Sequence, residues 1–422
     1  MDVIHARSLP PRPSLEQYRK QAKELLKACR AGDPAAIERV NRELPTAGAT
    51  GRTRDRSGPA LTDAQFVIAR EHGFASWPRF AAHLQGLVDG AVGRYEAAVD
   101  AIIVGDLDAL TELVDREPGL VRVRSTRTHR ATLLHYVAAN GVETYRQKTP
   151  ANAVEIANLL LTRGAAADAG ASMYGAEDAT TMELLVSSLH PAEAGVQPAL
   201  VDTLVDFGAA VNGPGEDNRP LLTALAHQYP PAAEALVRRG ARIDDIVSAA
   251  GLGREDLVRD CLDDEGRLRP HVRIVGIRPN LPRRPEANLA WAFVVAASLG
   301  HGRVVDLLAR RGADLGARAM AGLTALHWAV VNGHLEVVDL LLARKAPLED
   351  AENYHHSTVL GVAVWAVDNA THPHRWEILE RVLAAGARTD SVVLPTGNDS
   401  VDELLRAARR ERSPGRADLR RR

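Results

Sequence analysis

Apolar residues recur every three or four positions along most of this chain, a spacing that places them on one face of an α-helix. The first such stripe lies near the N-terminus and consists of Leu15, Tyr18, Ala22, Leu25 and Leu26. Polar residues fill the positions between them, so the pattern predicts an amphipathic helix with one buried face. Because similar stripes follow along the rest of the chain, the hydrophobic pattern predicts an all-α fold.

Residues that begin helices divide the first part of the chain into four predicted helices. The starts are marked by Ser14 with Gln17, Asp33 before Pro34, Thr62 with Gln65, and Ser76. The aromatic residues expected to hold these helices together are Phe66, Phe74, Trp77 and Phe80. Residues 46–60 have the composition of a mobile linker. We expect residues 1–90 to form an N-terminal helical module, folded against the next element because the join between them is short.

A repeated pattern follows the module. A pair of small residues, usually Gly-Ala, closes most units, at Gly164-Ala165, Gly208-Ala209, Gly240-Ala241, Gly312-Ala313, Lys345-Ala346 and Gly386-Ala387. The spacings between successive pairs are 44, 32, 72, 33 and 41 residues, which indicates a period near 33. The step of 72, between Gly240 and Gly312, contains a degenerate unit, DIVSAAGLGREDLVRDCLDDEG. We predict about eight units over residues 91–391 and a C-terminal capping helix over 392–411, begun by Ser400 with Glu403. Residues 412–422 are expected to form a basic, disordered tail.

The unit GLTALHWAVVNGHLEVVDLLLARKAPLED, residues 322–350, resembles an ankyrin repeat. The resemblance, and a period near 33, imply β-turn fingers that each precede two antiparallel helices, in a solenoid of stacked units. It also implies that fingers and first helices bind other proteins. Residues 14–87 resemble a helical module that precedes ankyrin repeats in bacterial proteins of unassigned role. The expected fold class is therefore all-α with short β-turn fingers: an ankyrin-repeat solenoid preceded by a small helical domain.

Composition narrows the cellular setting. The chain has no apolar run long enough to cross a bilayer and no apolar signal segment at its start, so neither a membrane span nor secretion is expected. Its two cysteines, Cys29 and Cys261, are far apart, which suits a reducing cytoplasm and gives no metal framework. Of the 52 Lys and Arg residues only 5 are Lys, which suits a GC-rich bacterial genome. An acidic middle between basic ends argues against nucleic-acid binding.

Three connectors between the two helices of a unit are longer than the connector of the unit at 322–350, which is only Gly333-His334. The longest insert is at 141–153, and two shorter ones lie at 189–197 and 367–375. Connectors at the same point of each repeat should emerge at one edge, opposite the fingers, and the first two belong to neighbouring units. Long connectors are usually functional or disordered. We therefore predict a binding edge, while local packing and neutral drift remain open alternatives.

The candidate residues for binding a ligand or partner lie in these inserts and on two first helices. They are Glu143, Tyr145, Arg146, Gln147, Lys148, His190, Glu193, His372, His374, Arg375, Trp328 and Trp365. Our specific hypothesis is that Tyr145, Arg146 and His190 form one accessible patch. Arginine offers a planar fork for carboxylate or phosphate, and tyrosine offers an amphipathic surface.

The remaining motifs favour structure over chemistry. The resemblance implies that His135 and His327 bond the backbone of a neighbouring finger. Ser187 and Ser188 lie beside His190 without an acid that completes a triad, and the glycines of GLGRED do not follow a strand. We name no catalytic residue.

Two histidine pairs could each supply only part of a metal site. His355 with His356, and His372 with His374, each offer two ligands. A third ligand could come only from Asp368 or His190, so we expect no metal and no cofactor.

The sequence thus predicts a non-enzymatic protein that binds an unidentified protein partner in a bacterial cytoplasm. The alternative is a small-molecule or enzymatic site built from the inserts at 141–153 and 189–197, holding a small polar or anionic molecule. Neither nucleic acid nor a membrane is an expected partner.

Overall fold

A computed structural model describes residues 5–44, 59–276, 283–352 and 355–411. Most of the expected linker at 46–60, and the whole basic tail at 412–422, lie outside these ranges. The chain divides into two compact units, one comprising Met1–Thr223 with Glu234–Ala241 and the other Ala224–Ala233 with Arg242–Arg422. None of the described helices is both long and apolar enough to cross a membrane.

The first unit begins with the four predicted helices. They are α1 (Leu15–Arg30), α2 (Pro34–Glu43), α3 (Leu61–Glu71) and α4 (Trp77–Asp89). Asp33 caps α2 as expected, because its Oδ1 accepts the N–H groups of Ala35 and Ala36 at 2.9 and 3.1 Å. Ser14 and Ser76 stand at the predicted cap positions, but their side chains make no capping hydrogen bond.

The predicted start of α3 at Thr62 is wrong. The helix begins one residue earlier, which places Asp63 at its third position, where its Oδ2 accepts the backbone N–H of Ala60 at 2.8 Å. Three of the four predicted aromatic residues pack together: Phe74 and Phe80 are fully buried with ring centroids 5.2 Å apart, and Trp77 lies 5.9 Å from Phe80. Phe66 is half-buried and does not belong to this core cluster. Tyr18 meets the Phe80 ring edge-on at 4.9 Å, so α1 and α4 share one core.

The rest of the first unit consists of short helices in antiparallel pairs. They are α5 (Ala91–Val104), α6 (Leu107–Arg116), α7 (Leu133–Val137), α8 (Ala153–Thr162), α9 (Thr181–Leu185), α10 (Leu189–Glu193) and α11 (Gln197–Asp206). A two-stranded finger, β1 (Ala171–Met173) with β2 (Ala176–Ala179), precedes α9 and pairs Met173 with Ala176. The expected structural role of His135 is confirmed, because its Nε2 reaches the carbonyl of Ala179 in this finger at 3.3 Å. Helices α12 (Arg219–Ala226) and α13 (Pro230–Arg238) follow.

The N-terminal module packs against the first repeat, as its short join predicted. His83 Nδ1 lies 2.7 Å from the hydroxyl of Thr126, and the backbone N–H of Thr128 donates to Gly73 O at 3.2 Å. The guanidinium of Arg127 lies over the ring of Phe74, 5.5 Å from its centroid. The segment around residues 126–128 therefore inserts its side chains into the module.

The second unit repeats the helix pairs and contains one more short finger. Its helices are α14 (Ile246–Gly251), α15 (Glu255–Cys261), α16 (Pro285–Ser298), α17 (Gly302–Arg310), α18 (Ala325–Asn332), α19 (Leu335–Ala343), α20 (Val359–Asn369), α21 (Arg375–Ala384) and α22 (Asp399–Glu411). The finger is β3 (Arg318–Ala319) paired with β4 (Leu323–Thr324). Asn398, and not the predicted Ser400, caps α22, because its Oδ1 accepts the Val401 N–H at 3.2 Å.

Histidines join successive repeats of the second unit. His301 Nε2 donates to the carbonyl of Gly251 at 3.0 Å, and His334 Nε2 donates to the carbonyl of Ser298 at 2.9 Å. Each ring thus bonds a carbonyl in the last turn of the preceding repeat's first helix, a group that no helical N–H can reach. The predicted all-α fold class with short β-turn fingers is therefore confirmed.

Candidate functional site

The first insert carries two charged residues into the interior of the first unit. Glu143 precedes a short 3-10 helix, Thr144–Arg146, which turns the chain so that Arg146 also faces inward. They meet Glu96 on α5 and Arg127 in the loop before α7. These four residues are referred to below as the buried charge cluster. The side chains of Glu143 and Arg127 are 0% and 2% exposed, so water can do little to screen these charges.

Each arginine of the cluster bridges two carboxylates. Arg127 Nη1 lies 2.6 Å from Glu96 Oε1, and its Nε lies 2.5 Å from Glu143 Oε1. Arg146 Nη1 lies 2.6 Å from Glu96 Oε2, while its Nη2 lies 3.0 Å from Oδ1 of Asp100, one turn further along α5. Both oxygens of Glu96 therefore face a guanidinium, and every charge in the cluster has an opposite charge within contact distance.

The environment keeps both buried carboxylates ionised. Burial by itself raises the pKa of Glu143, but Arg127, then His129 and then Arg146, outweigh it and hold that pKa far below its usual range. Burial acts in the same way on Glu96, and Arg127 and Arg146 lower its pKa below the ordinary value. The cluster is therefore a set of full charges at neutral pH and does not share a proton.

Two neutral side chains complete the surroundings of Glu143. The backbone N–H of Ala131 donates to Nδ1 of His129 at 3.0 Å, so the ring hydrogen of the neutral imidazole sits on Nε2, 3.6 Å from Glu143 Oε1. The hydroxyl of Tyr136 donates to Glu143 Oε2 at 3.3 Å. The carboxylate of a loop residue is thus enclosed by groups from three separate segments.

A cavity of about 510 Å³ adjoins the cluster. One wall consists of residues 8–13, SLPPRP, and the facing walls consist of His83, Leu87 and Val88 of α4 together with the cluster, Asp100 and Tyr145. Residues 8–13 are referred to below as the proline strap. Arg7, just before the strap, is held by two backbone hydrogen bonds: its carbonyl accepts from His72 Nδ1 at 2.9 Å, and its N–H donates to the carbonyl of Glu71 at 2.7 Å.

The predicted accessibility of the first insert is wrong for Glu143 and Arg146. Both are buried, because Arg127 and Glu96 supply oppositely charged partners inside the fold. Tyr145 is half-buried beside the cavity, with its ring 5.5 Å from the Arg146 guanidinium. Gln147 Nε2 donates to the Val142 carbonyl at 2.7 Å and braces the loop, while Lys148 is exposed.

The structure turns the first insert away from the predicted shared patch. Arg146 directs its guanidinium to Glu96 and Asp100 on α5, and not toward the second insert. In the second insert His190 is half-buried within the short helix α10, and Glu193 is exposed. Gln197 anchors that insert by donating to the carbonyls of Leu185 and Ser188 at 2.8 and 2.9 Å. The bases of the two inserts are adjacent as expected, because Asn140 Nδ2 donates to Ser187 Oγ at 2.8 Å, but Arg146 does not face a patch shared with His190.

The third insert also folds onto its own surroundings. The ring of His372 lies against Gly333, whose φ of +73° and missing side chain make room for it. His374 Nδ1 is 3.4 Å from Glu377, and Arg375 Nη1 donates to the carbonyl of Ala370 at 3.4 Å. No three His, Cys, Asp or Glu side chains are grouped to hold a metal ion in the described ranges.

The two candidate tryptophans differ in their surroundings. Trp328 is half-buried, and its indole N–H donates to the carbonyl of Met320 at 3.2 Å. Trp365 on α20 is 52% exposed and lines a second cavity, of about 460 Å³. The other lining residues are Leu323, Val331, Glu352, His355, Ser357 and Val362. This cavity and its residues are referred to below as the Trp365 groove.

Sequence reasoning missed Glu96, Arg127 and His83. A signal for Glu96 existed: it follows Tyr95 directly and stands three residues before Val99, among the apolar residues of α5, where a buried charge needs a partner. Arg127 stands in a basic loop, RSTRTHR, whose composition predicts exposure. Nothing in that loop indicates which arginine turns inward.

Comparison with known proteins agrees with the repeat pattern. Residues 292–388 match the family model of ankyrin repeats, with three copies. A curated relative is the ankyrin repeat and KH domain-containing protein mask-1 of Caenorhabditis elegans, 23% identical over 262 residues. The match covers 59% of this chain and 9% of that protein, so the chain spans a small part of its relative's length. The chain therefore contains ankyrin repeats, matched directly over residues 292–388.

Proposed function

We propose that this chain binds another protein through its ankyrin repeats, and that the Trp365 groove is a main contact. The exposure of Trp365 beside Leu323, Val331 and Val362 is the observation that carries the proposal. Leaving a large indole in water next to other apolar side chains is unfavourable, and such patches mark interaction sites. Tryptophan is also enriched among the residues that supply most of the energy of an interface.

The surroundings of the groove suggest the kind of partner. Its floor is apolar, whereas His355 and Ser357 stand at its polar side. Glu352 is buried and accepts the backbone N–H of His355 at 2.5 Å and that of Ser357 at 3.2 Å, so it shapes the groove and is not free to receive a ligand. We infer that the groove takes a large apolar side chain of a peptide segment, with a hydrogen-bonding group beside it.

The setting that fits this proposal is a bacterial cytoplasm. It is supported by the excess of arginine over lysine and by two cysteines, Cys29 and Cys261, that form no disulfide. We also favour a protein that is not an enzyme, because the sequence motif with Ser187, Ser188 and His190 has no acid that completes a triad. The alternative of a small-molecule site shared by the inserts at 141–153 and 189–197 loses support, because Arg146 turns to Glu96 and Asp100 on α5 and not to the second insert.

A matched pair of tryptophan variants tests the proposal. A displayed peptide library would be selected on the full chain, and the affinity of the best peptide measured by fluorescence polarisation. Trp365→Ala should weaken binding by about 30-fold or more, the loss of about 2 kcal/mol that defines an interface hot spot. Trp376→Ala is the control, because Trp376 is partly exposed on α21 of the same repeat but does not line the groove.

The comparison distinguishes the groove from the inserts. Tyr145→Phe and His190→Ala should leave peptide binding unchanged, and so should Arg219→Ala, at the first residue of α12. If Trp365→Ala binds as tightly as the native chain while Tyr145→Phe or His190→Ala does not, the groove proposal is wrong and the insert alternative stands. Melting temperatures would be recorded for every variant, so that loss of binding is not confused with loss of folding.

A further inference from the structure

The cavity under the proline strap is built from polar groups that lie deep in the fold. His83 on α4 is 1% exposed, and its Nδ1 is engaged with the Thr126 hydroxyl at 2.7 Å. Its Nε2 has no hydrogen-bond partner among the described residues, and the same is true of Nε of Arg146. Both residues line the cavity. Buried polar atoms are almost always paired in folded proteins, so two unpaired atoms on one cavity indicate a place for a ligand.

We propose that this cavity is a binding site for a neutral, polyhydroxylated small molecule, such as a monosaccharide or a nucleoside. A hydroxyl group both donates and accepts a hydrogen bond, so it can pair with His83 Nε2 in either tautomer of the ring. It can also accept from Nε–H of Arg146. A second hydroxyl can meet the carboxylate of Asp100 at the rim, whose other oxygen faces Arg146.

The charges around the cavity favour a neutral ligand over an ion. The two buried arginines of the cluster are matched by its two buried glutamates, and at the rim Arg12 and Asp100 carry opposite charges. An anion would have to compete with Glu96 for guanidinium groups that already have partners. A cation would lie close to two arginines. Neither sign of charge gains a buried counter-charge that lacks a partner, whereas neutral hydroxyl groups avoid the large cost of desolvating an ion.

The apolar surfaces and the size agree with this class of ligand. Leu9 and Leu87 are half-buried at the cavity and, with the prolines of the strap, offer apolar contact to the C–H face of a sugar ring. Tyr145 adds an aromatic ring at the side. The volume of about 510 Å³ falls within the range of roughly 300 to 1,000 Å³ that small-molecule sites occupy.

The test uses a bulky substitution that blocks the cavity and leaves the charges untouched. Val88 lines the cavity and is 82% exposed, so Val88→Trp fills its mouth without disturbing the core. Val104→Trp is the matched control, because Val104 is 73% exposed on α5 and does not line the cavity. Saturation-transfer NMR on the full chain would screen monosaccharides and nucleosides at millimolar concentration, with free amino acids as charged comparators. Binding of inorganic phosphate, the second charged comparator, would be followed by broadening of its 31P signal.

We expect at least one neutral polyhydroxylated compound to bind both the native chain and Val104→Trp, and to bind Val88→Trp at least about tenfold more weakly, which corresponds to about 1.4 kcal/mol. A binder that Val88→Trp retains would place the site elsewhere and overturn the proposal. Phosphate or an amino acid that binds in place of the neutral compounds, and is lost in Val88→Trp, would refute the choice of ligand class. Failure of every neutral compound to bind the native chain would refute the site.

Discussion

Removing one charge from the buried cluster should unfold the first unit far more readily than removing the same charge from its surface. Glu143→Gln keeps the shape of the side chain and can still accept the Tyr136 hydroxyl, so it removes little except the charge. Arg127 and Arg146 are then left in the interior with one buried carboxylate, that of Glu96. Breaking a buried ion pair in this way costs about 3–5 kcal/mol, because the remaining charge stays desolvated.

The matched control carries out the same substitution in solvent. Glu112 pairs with Arg116 one turn away on α6, and their side chains are 62% and 74% exposed. Exposed pairs of this kind contribute about 0.3–0.5 kcal/mol, so Glu112→Gln should be almost silent. Both variants replace a glutamate by glutamine in the first unit. The difference between their losses of stability therefore reports the contribution of burial.

Hydrogen exchange followed by mass spectrometry measures how much each variant destabilises the first unit. Peptides from residues 91–165 report opening of the first unit alone, which avoids treating a chain with two compact units as a single transition. A loss of about 3–5 kcal/mol accelerates exchange in the most protected amides by about 100-fold to about 4,000-fold. If Glu143→Gln exchanges within about fivefold of Glu112→Gln, the cluster does not hold the first insert in place, and the reasoning from burial is wrong.

A double variant separates the effect of charge from that of packing. Arg127→Met combined with Glu143→Leu removes one charge of each sign and leaves Glu96 paired with Arg146. We expect it to be less destabilised than Glu143→Gln, because apolar residues of similar volume avoid the cost of desolvating a buried pair. The single variants Arg127→Met and Glu143→Leu would be measured as well. If the double variant loses as much stability as the two single variants together, the two side chains do not interact.

Three further predictions follow from other parts of the chain. Burial lowers the pKa of His83 and of His135 to about 4, whereas in the unfolded chain each imidazole is protonated near its ordinary pKa of about 6.5. As the pH falls from about 6.5 towards 4, each histidine should therefore lower the free energy of unfolding by up to about 3 kcal/mol. Urea titrations at pH 7 and pH 4.5 check this. Gly333→Ala should destabilise the second unit by about 1 kcal/mol more than Gly312→Ala. Both glycines have a positive φ, but only at Gly333 would the added methyl group meet the ring of His372. Equal losses of stability in the two variants would show that the contact with His372 does not matter. EDTA should leave the melting temperature unchanged, and a fall of several degrees that zinc reverses but magnesium does not would contradict the absence of a structural metal.

The sequence was sufficient for some features that depend on neighbouring residues. Asp33 before Pro34 specifies a helix start through local hydrogen bonds, and the structure has that cap. His135 follows from a short local motif, and its bond to the next finger is present. The same capping rule was wrong at Thr62 and Ser400, where a nearby residue begins the helix instead, so a local pattern locates a helix start only approximately.

The inward turn of the first insert could not be predicted in the same way. The partners of Glu143 and Arg146 lie on earlier elements, Glu96 in α5 and Arg127 in the loop before α7, so only tertiary packing brings them together. Loops are usually exposed, and this favoured an exposed position for Arg146. The absence of glycine and serine from ETYRQK, residues 143–148, indicated an ordered loop. These residue types, however, are equally compatible with an exposed binding site and with a buried cluster of charges.

The opened turn between α7 and α8 gives this repeat a polar interior that a short connector cannot provide. In the repeat at 322–350, Gly333 and His334 join α18 to α19, and that joint presents His334 to the carbonyl of Ser298. In the first insert, Asn152 takes over this task by donating to the carbonyl of Gly105 at 2.9 Å, so the added residues are free for another purpose. They carry Glu143 and Arg146 to a place beside the N-terminal module, where terminal units of a solenoid need a cover. If both proposals hold, one type of repeat supports two binding chemistries: hydrogen-bonding groups around a cavity in the first unit, and an exposed indole in an apolar groove in the second.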